Sequence, residues 1–534
     1  MYVLYSILPL LQAIFVASAS PEIFLGQTKV VGIDVPTLSQ EFFGGIPYAE
    51  APVGDLRLAP PVLKTTPGTD IFNATAFGKA CFQANVAATL LSEDCLSIKV
   101  FRPSNISSSS KLPVFFWTHG SGFRKSSSAT VNASAMVAQS INRGTPVIFV
   151  SINYRLGPLG WPQGAEADAK GLLNLGLRDQ IAGLEWVQHN IEAFGGDKNK
   201  VTIGGSSAGS IMSTTLFLHP FVTNLARAAI FQSGFPGTYA LFNATVEQDS
   251  WDSFLSGVAS CQNITSDAIS CLRSANSSDI LEGVANATAN ARAFGPTLDG
   301  PNGFYPNLPS TMLANGPIVN LPFIAGQNKD DDPTLNYTPT LIALGLQQEF
   351  SPPALSEDVV NSLLTLYPNI PALGCPFDTG NETFGLAPGY KEVAALATDI
   401  PFTSQRRFWT QVAANSSVNA YGYYFAQGTS STAPQLGVAH GDQVAYSFGT
   451  LSSMNETDPS AFFLSEVMID YFVSFIVDLS PNDGQGVSRP EWPQYAINNQ
   501  MLMQLNGSNL TTISDDFRAE QISYITSQVA AFHQ

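Results

Sequence analysis

Positive charge is scarce in this 534-residue chain: 24 Lys and Arg stand against 42 Asp and Glu, no basic run interrupts the acidic background, and the formal net charge is −18. A field of that sign repels phosphate backbones and gives little hold on anionic lipid, so nucleic acid is excluded as a partner. An apolar approach to a fat or wax surface stays open. The apolar run that opens the chain is too short and wrongly flanked for a spanning helix. The run from Ala461 to Val477 is broken at helical spacing by Ser465, Glu466, Asp470 and Ser474, and reads as a core helix with no membrane anchor. Internal repeats, low-complexity tracts and linker-like segments are also missing, which argues for a single domain over 20–534.

Cysteine is rare too, with five residues, but four of them sit in near-sequence pairs, Cys81 with Cys95 and Cys261 with Cys271. Each pair would close a short loop in an oxidising compartment, at about 3 kcal/mol. Cys375 is left over and reads as a small buried residue, since nothing beside it would lower a thiol pKa. The opening MYVLYSILPLLQAIFVASAS ends in the small triplet Ala17, Ser18, Ala19, the pattern of a signal peptide over 1–19 cleaved after Ala19. Thirteen Asn-x-Ser/Thr sequons, among them Asn73, Asn105, Asn132, Asn243, Asn336, Asn381 and Asn506, fit a secreted, extracellular protein carrying N-linked glycans.

What is present is an alternation of apolar β-branched or aromatic runs with amphipathic helical patterns. Val114 to Thr118, Val147 to Ile152, Val201 to Ile203, Ala228 to Phe231, Phe323 to Ala325 and Tyr421 to Phe425 read as strands. Such alternation predicts an α/β fold with a large, mostly parallel central sheet flanked by helices. Between the second and third strands, Leu177, Ile181, Leu184, Val187 and Ile191 recur at steps of three or four, with Gly195 and Gly196 as the stop, predicting a crossover helix.

The third strand runs into Gly205-Ser206-Ser207-Ala208-Gly209 and a helix follows. A strand, a strained turn of small residues and a helix make a nucleophile elbow, with the serine oxygen held at the helix's positive end. Only Ser207 has glycine on both sides at the required spacing; moving the frame to Ser206 would need a glycine at Ala208. Acyl transfer from such a serine requires backbone donors for the oxyanion, worth about 3 to 4 kcal/mol. His119-Gly120-Ser121-Gly122-Phe123, after the strand VFFWT, is the candidate loop, and the N–H groups of Ser121, Gly122 and Ala208 are the candidate oxyanion hole.

The histidines are His119, His189, His219, His440 and His533, and elimination is short. His119 lies in the oxyanion loop, His189 on the outer side of the crossover helix, His219 at a helix stop and His533 beside the last residue. His440, in GVAHGDQVAY, falls on a loop after a late strand and is the expected general base. The orienting acid should follow a strand between Ser207 and His440, where FIAGQNKDDDP offers Asp330, Asp331 and Asp332. One should orient His440, and the other two are expected to be solvated turn residues. No metal or other cofactor is required. Phe123, Phe235 and Phe294 lie near motif ends and could line an acyl pocket, though core packing is the commoner fate of an aromatic.

These segments carry a resemblance. FFGGIPYAEAPVGDLRLAPP, SEDCLSIKV, HGSGF, INYRLGPLG, LRDQIAGLEWVQHNIEAFGGDKNKVTIGGSSAG, FGPTLDG, AGQNKDDD, GVAHGDQ and EWPQY together resemble the type-B carboxylesterase and lipase family, which includes cholinesterases and secreted fungal lipases. The resemblance implies an α/β-hydrolase fold, a serine carboxylesterase or lipase acting on small-molecule or lipid esters, Asp331 at the family's acidic position, and the two cysteine pairs as its usual disulfides. It also exposes departures: Ser206 stands where the family usually has Glu, Ser121 replaces the middle glycine of the oxyanion loop, and only thirteen residues separate Cys81 from Cys95, where related lipases carry a longer flap. A shortened lid implies an open mouth and little interfacial activation. Two rival readings remain: a non-catalytic adhesion or binding protein on the same scaffold, and a serine amidase or peptidase.

Overall fold

The structure, a computed structural model, describes residues 20–262, 264, 266–287, 294–316, 318–332, 339–387 and 389–534. The expected leader 1–19 and the sequon at Asn336 lie outside the described residues.

The apolar runs form the strands of one eleven-stranded sheet. In chain order these are β1 (Ile33–Val35), β2 (Gln40–Pro47), β3 (Ser97–Pro103), β4 (Leu112–Thr118), β5 (Ile148–Ile152), β6 (Gly196–Ser206), β7 (Ala228–Gln232), β8 (Phe323–Asn328), β9 (Ala420–Phe425), β10 (Met501–Leu505) and β11 (Thr511–Ser514). Their spatial order is β11-β10-β9-β8-β7-β6-β4-β5-β3-β2-β1. Neighbours from β5 across to β10 run parallel, and the pairs at both edges are antiparallel.

The strand VFFWT shows why its residues are apolar without alternation. Val114 and Phe116 belong to the hydrophobic cluster on one side of the sheet, and Phe115 and Trp117 to the cluster on the other. Both faces are covered, so both sets of side chains must be apolar. The expected crossover helix is α1 (Leu175–Asn190). Six more helices matter for the site: α2 (Ala208–Leu216), α3 (Pro339–Glu349), α4 (Tyr390–Thr398), α5 (Ser404–Asn415), α6 (Asp442–Ser447) and α7 (Pro459–Asp478).

Helix α7 is long and apolar enough to cross a membrane, yet 72% of its most apolar window is buried inside the structure. Its interrupting residues Ser465, Asp470 and Ser474 have internal partners, and Glu466 is exposed. Arg143 donates to the Asp470 carbonyl at 2.6 Å and to Ser474 Oγ at 2.9 Å, and Arg489 lies 3.7 Å from the Asp470 carboxylate. The cysteine pairs are joined as Cys81–Cys95 and Cys261–Cys271, and Cys375 is free and buried.

A buried ion pair fixes α5 to the sheet. The Arg406 guanidinium meets the Asp515 carboxylate, neither side chain exposed, with the Tyr495 hydroxyl donating to the same carboxylate at 2.8 Å. Arg406 Nε also donates to Gln327 Oε1 at 3.1 Å, and Gln327 sits in β8, the strand that leads to the three aspartates. Replacing Asp515 by Ala would leave the Arg406 charge buried without a counter-charge, so the variant is expected to lose about 3–5 kcal/mol. A chemical-denaturation midpoint equal to that of the wild type would contradict this.

Candidate active site

Strand β6 ends at Ser206, and Ser207 turns the chain into α2 with φ 56° and ψ −128°, a left-handed conformation that a serine adopts only under constraint. The constraint is close packing. A Cβ on Gly205 would lie 2.3 Å from the carbonyl carbon of Gly209, and one on Gly209 would lie 2.1 Å from the Thr118 carbonyl oxygen. The turn is tied down by Ser207 N–H to the Gln232 carbonyl and by Ile211 N–H to the Ser207 carbonyl, each 2.9 Å.

Ala208 is the first residue of α2, so its N–H has no acceptor within the helix. The loop after β4 faces it with three successive residues at positive φ, Ser121 (77°), Gly122 (63°) and Phe123 (63°). Gly122, Phe123, Ser207 and Ala208 line one cavity of about 450 Å³; Ser121 is exposed and is not among its lining residues. Of the three residues expected to supply donors, two therefore line the cavity with Ser207.

His440 Nδ1 lies 2.8 Å from Asp331 Oδ1. The Asp331 side chain is 0% exposed, and the imidazole is 31% exposed. Burial alone would lower the imidazole pKa, but the hydrogen bond and charge of Asp331 outweigh it, with Asp332 and Asp442 adding, and the net shift is upward. The remaining histidines have other settings. His119 is buried and stacked on Tyr154, and burial pushes its pKa down to about 4. His219 Nε2 meets the Phe304 carbonyl at 2.8 Å, His189 is exposed, and the His533 ring packs at a tilt against Phe242.

The three aspartates separate cleanly. Asp331 faces His440. Asp332 is exposed and lines the cavity. Asp330 is no solvated turn residue, contrary to expectation: it is buried and accepts from Phe377 N–H at 2.8 Å, Val438 N–H at 2.9 Å and the Cys375 thiol at 3.3 Å. It joins two loops, and burial raises its pKa. The same surroundings push the Cys375 thiol upward.

Two residues that sequence reasoning missed hold this arrangement. Asn328, at the end of β8, donates its backbone N–H to Asp331 Oδ2 at 2.8 Å. Its side-chain amide donates to the Ala439 carbonyl at 2.6 Å and to Gln443 Oε1 at 2.8 Å, on either side of His440. Gln443 Nε2 in turn donates to Ser206 Oγ at 3.3 Å, linking the histidine loop to the elbow. Ser206 thus accepts a neutral amide. Both amides sit inside the short motifs AGQNKDDD and GVAHGDQ, which is the signal that could have found them. The link between the Ser207 hydroxyl and His440 is not closed: among the described residues the hydroxyl makes no hydrogen bond. Such contacts are often long until substrate is in place.

The cavity's other wall comes from α3, α4 and the single π-type turn Asp399–Thr403 that follows α4. Leu346, Phe350, Val393, Leu396, Ile400 and Phe402 present apolar surface there, and the Phe402 ring lies 5.0 Å from the His440 ring. Phe123 lines the cavity as expected, whereas Phe235 and Phe294 are buried in the core and do not. No residue between Cys81 and Cys95 is among the described lining.

An eleven-stranded, mostly parallel sheet with a strained serine at a strand-to-helix turn defines an α/β-hydrolase. The Carboxylesterase family profile matches residues 19–525, and the chain belongs to that family. It is 30% identical to Secreted lipase 1 of Botryotinia fuckeliana over 97% of this chain and 94% of that one. It is 32% identical to Lipase 1 of Geotrichum candidum over 92% of each. The crystal structure of Aspergillus niger EstA superposes with a TM-score of 0.84, covering 97% of this chain and 99% of that one at 24% identity. The chain is a carboxylic ester hydrolase.

The upward shift at His440 depends on the Asp331 charge. NMR titration should place the His440 pKa above 6.5 in the wild type, and Asp331→Asn should lower it. An unchanged value in the variant would contradict the assignment of cause.

Proposed function

We propose that this chain is a secreted serine esterase of carboxylesterase or lipase type, with Ser207 as nucleophile, His440 as general base and acid, and Asp331 as the residue that orients the imidazole. The observation that carries the reading is the 2.8 Å Asp331–His440 contact beside an elbow serine that shares a cavity with the backbone of Gly122 and Ala208. Ser207 Oγ attacks the ester carbonyl, and His440 Nε2 takes the hydroxyl proton. The oxygen of the tetrahedral intermediate gains negative charge and is met by the N–H groups of Gly122 and Ala208. Collapse breaks the bond to the alcohol, which leaves with the proton from His440. Water then enters, gives a proton to His440 and attacks the acyl-enzyme; the acid departs and Ser207 regains its hydrogen.

The apolar wall of Leu346, Phe350, Val393, Leu396, Ile400 and Phe402 favours a hydrocarbon acyl group. The relatives named as lipases support the same substrate class, and those named as secreted support export, together with the leader pattern of 1–19 and the two disulfides. A single catalytic domain over 20–534 is proposed on the one continuous sheet.

Ser207→Ala should lower turnover on the order of 10⁶-fold with the fold intact. A wild-type esterase rate in that variant would remove the proposal. Catalysis needs neutral His440, whose folded pKa is raised, so kcat/KM should fall as pH drops through a midpoint above 6.5; Asp331→Asn should move that midpoint down and cost roughly 10⁴-fold in kcat. Because the Cys81–Cys95 loop does not line the cavity, the rate on a short-chain ester should rise smoothly through the solubility limit. A sharp increase above it would refute the open mouth.

A further inference from the structure

The rim of the cavity carries a modification signal. Asn243 begins the sequon Asn243-Ala244-Thr245, is exposed, and is the only sequon asparagine among the described residues that lines the cavity with Ser207. Its carboxamide makes no hydrogen bond among the described residues. Several exposed sequon asparagines share this freedom, but Asn506 and Asn286 do not, and none of the other described ones lines the cavity. Asn506 is half-buried and donates Nδ2 to the Ala426 carbonyl at 3.0 Å, and Asn286 donates Nδ2 to the Ser253 carbonyl at 2.7 Å and Ser256 Oγ at 3.2 Å.

The backbone beneath Asn243 is held firmly. Leu298 N–H donates to the Phe242 carbonyl at 3.0 Å, Val246 N–H donates to the Asn243 carbonyl at 3.0 Å, and the Phe242 ring packs 4.2 Å from that of His533. A sugar attached there would have a fixed root, and its bulk would stand over the cavity mouth instead of sweeping a wide surface. On the opposite wall, α3 and α4 confine the same space.

We propose that Asn243 carries an N-linked glycan that forms part of the mouth of the substrate cavity and discriminates against esters of bulky alcohols, while short esters pass. This rests on the reading of the chain as a secreted esterase using that cavity. Such a rim is hydrated, covalently built and independent of an interface.

The full-length protein, secreted from a eukaryotic host, is compared with Thr245→Ala, which removes the acceptor signal and leaves Asn243 in place, and Thr245→Ser, which keeps the signal. Thr245 is exposed and is not a lining residue. Peptide mass spectrometry should find Asn243 occupied in the wild type and in Thr245→Ser, and unoccupied in Thr245→Ala. All three should hydrolyse p-nitrophenyl butyrate alike. The ratio of kcat/KM for cholesteryl butyrate to that for p-nitrophenyl butyrate should rise about tenfold in Thr245→Ala, the scale of one removed steric conflict in a pocket. Glycans at other sequons with Asn243 bare, or an occupied Asn243 whose loss leaves the ratio unchanged, would overturn the proposal while leaving the esterase reading intact. Absence of activity on the short ester in the wild type would instead sink the reading beneath it.

Discussion

A carboxylate with no exposed surface survives in a protein interior only if its oxygens are taken up by donors. For Asp331 those donors are the Asn328 backbone N–H and the His440 imidazole, and the site is arranged around that need. Strand β8 ends where the backbone can turn its N–H onto the carboxylate. The loop before α6 comes back to the same point because Asn328 holds the Ala439 carbonyl. The proposed roles of Ser207 and His440 both depend on this anchoring, since a histidine free to rotate could neither keep one tautomer nor reach the elbow reproducibly.

The neighbour of Ser207 is intelligible in the same terms. A carboxylate at position 206 would bring a second charge into the buried space behind Ser207. Here Ser206, Gln443 and Asn328 form a neutral chain of hydrogen bonds instead, and among the described residues the charged partner of His440 at hydrogen-bond distance is Asp331. The elbow itself is fixed by sterics more than by charge: the left-handed Ser207 persists because glycines at 205 and 209 let strand, helix and the Thr118 backbone approach more closely than any side chain would permit.

Legibility in the sequence followed the range of the interaction. The strands were visible because a two-sided sheet demands continuous apolar runs, and the elbow because its small residues sit at fixed local spacing. His440 followed from scarcity, and Asp331 from the family position. Asp330 was misjudged because its partners, Phe377, Val438 and Cys375, lie about 45 and 108 residues away, and local turn chemistry says nothing of them. Asn328 and Gln443 were missed for a related reason: an amide becomes a positioning group only when folding supplies its acceptors. Phe235 and Phe294 lie in the main core cluster, the commoner fate of an aromatic.

The central claim is that the hydroxyl at 207 is the activated nucleophile of this cavity. It is tested most directly by treating the intact enzyme with a fluorophosphonate probe and mapping the adduct by peptide mass spectrometry. The account predicts one label per chain, on Ser207, with a phosphoryl oxygen directed at the N–H groups of Gly122 and Ala208 in a structure of the adduct. A label on another residue, or none at full esterase activity, would contradict it.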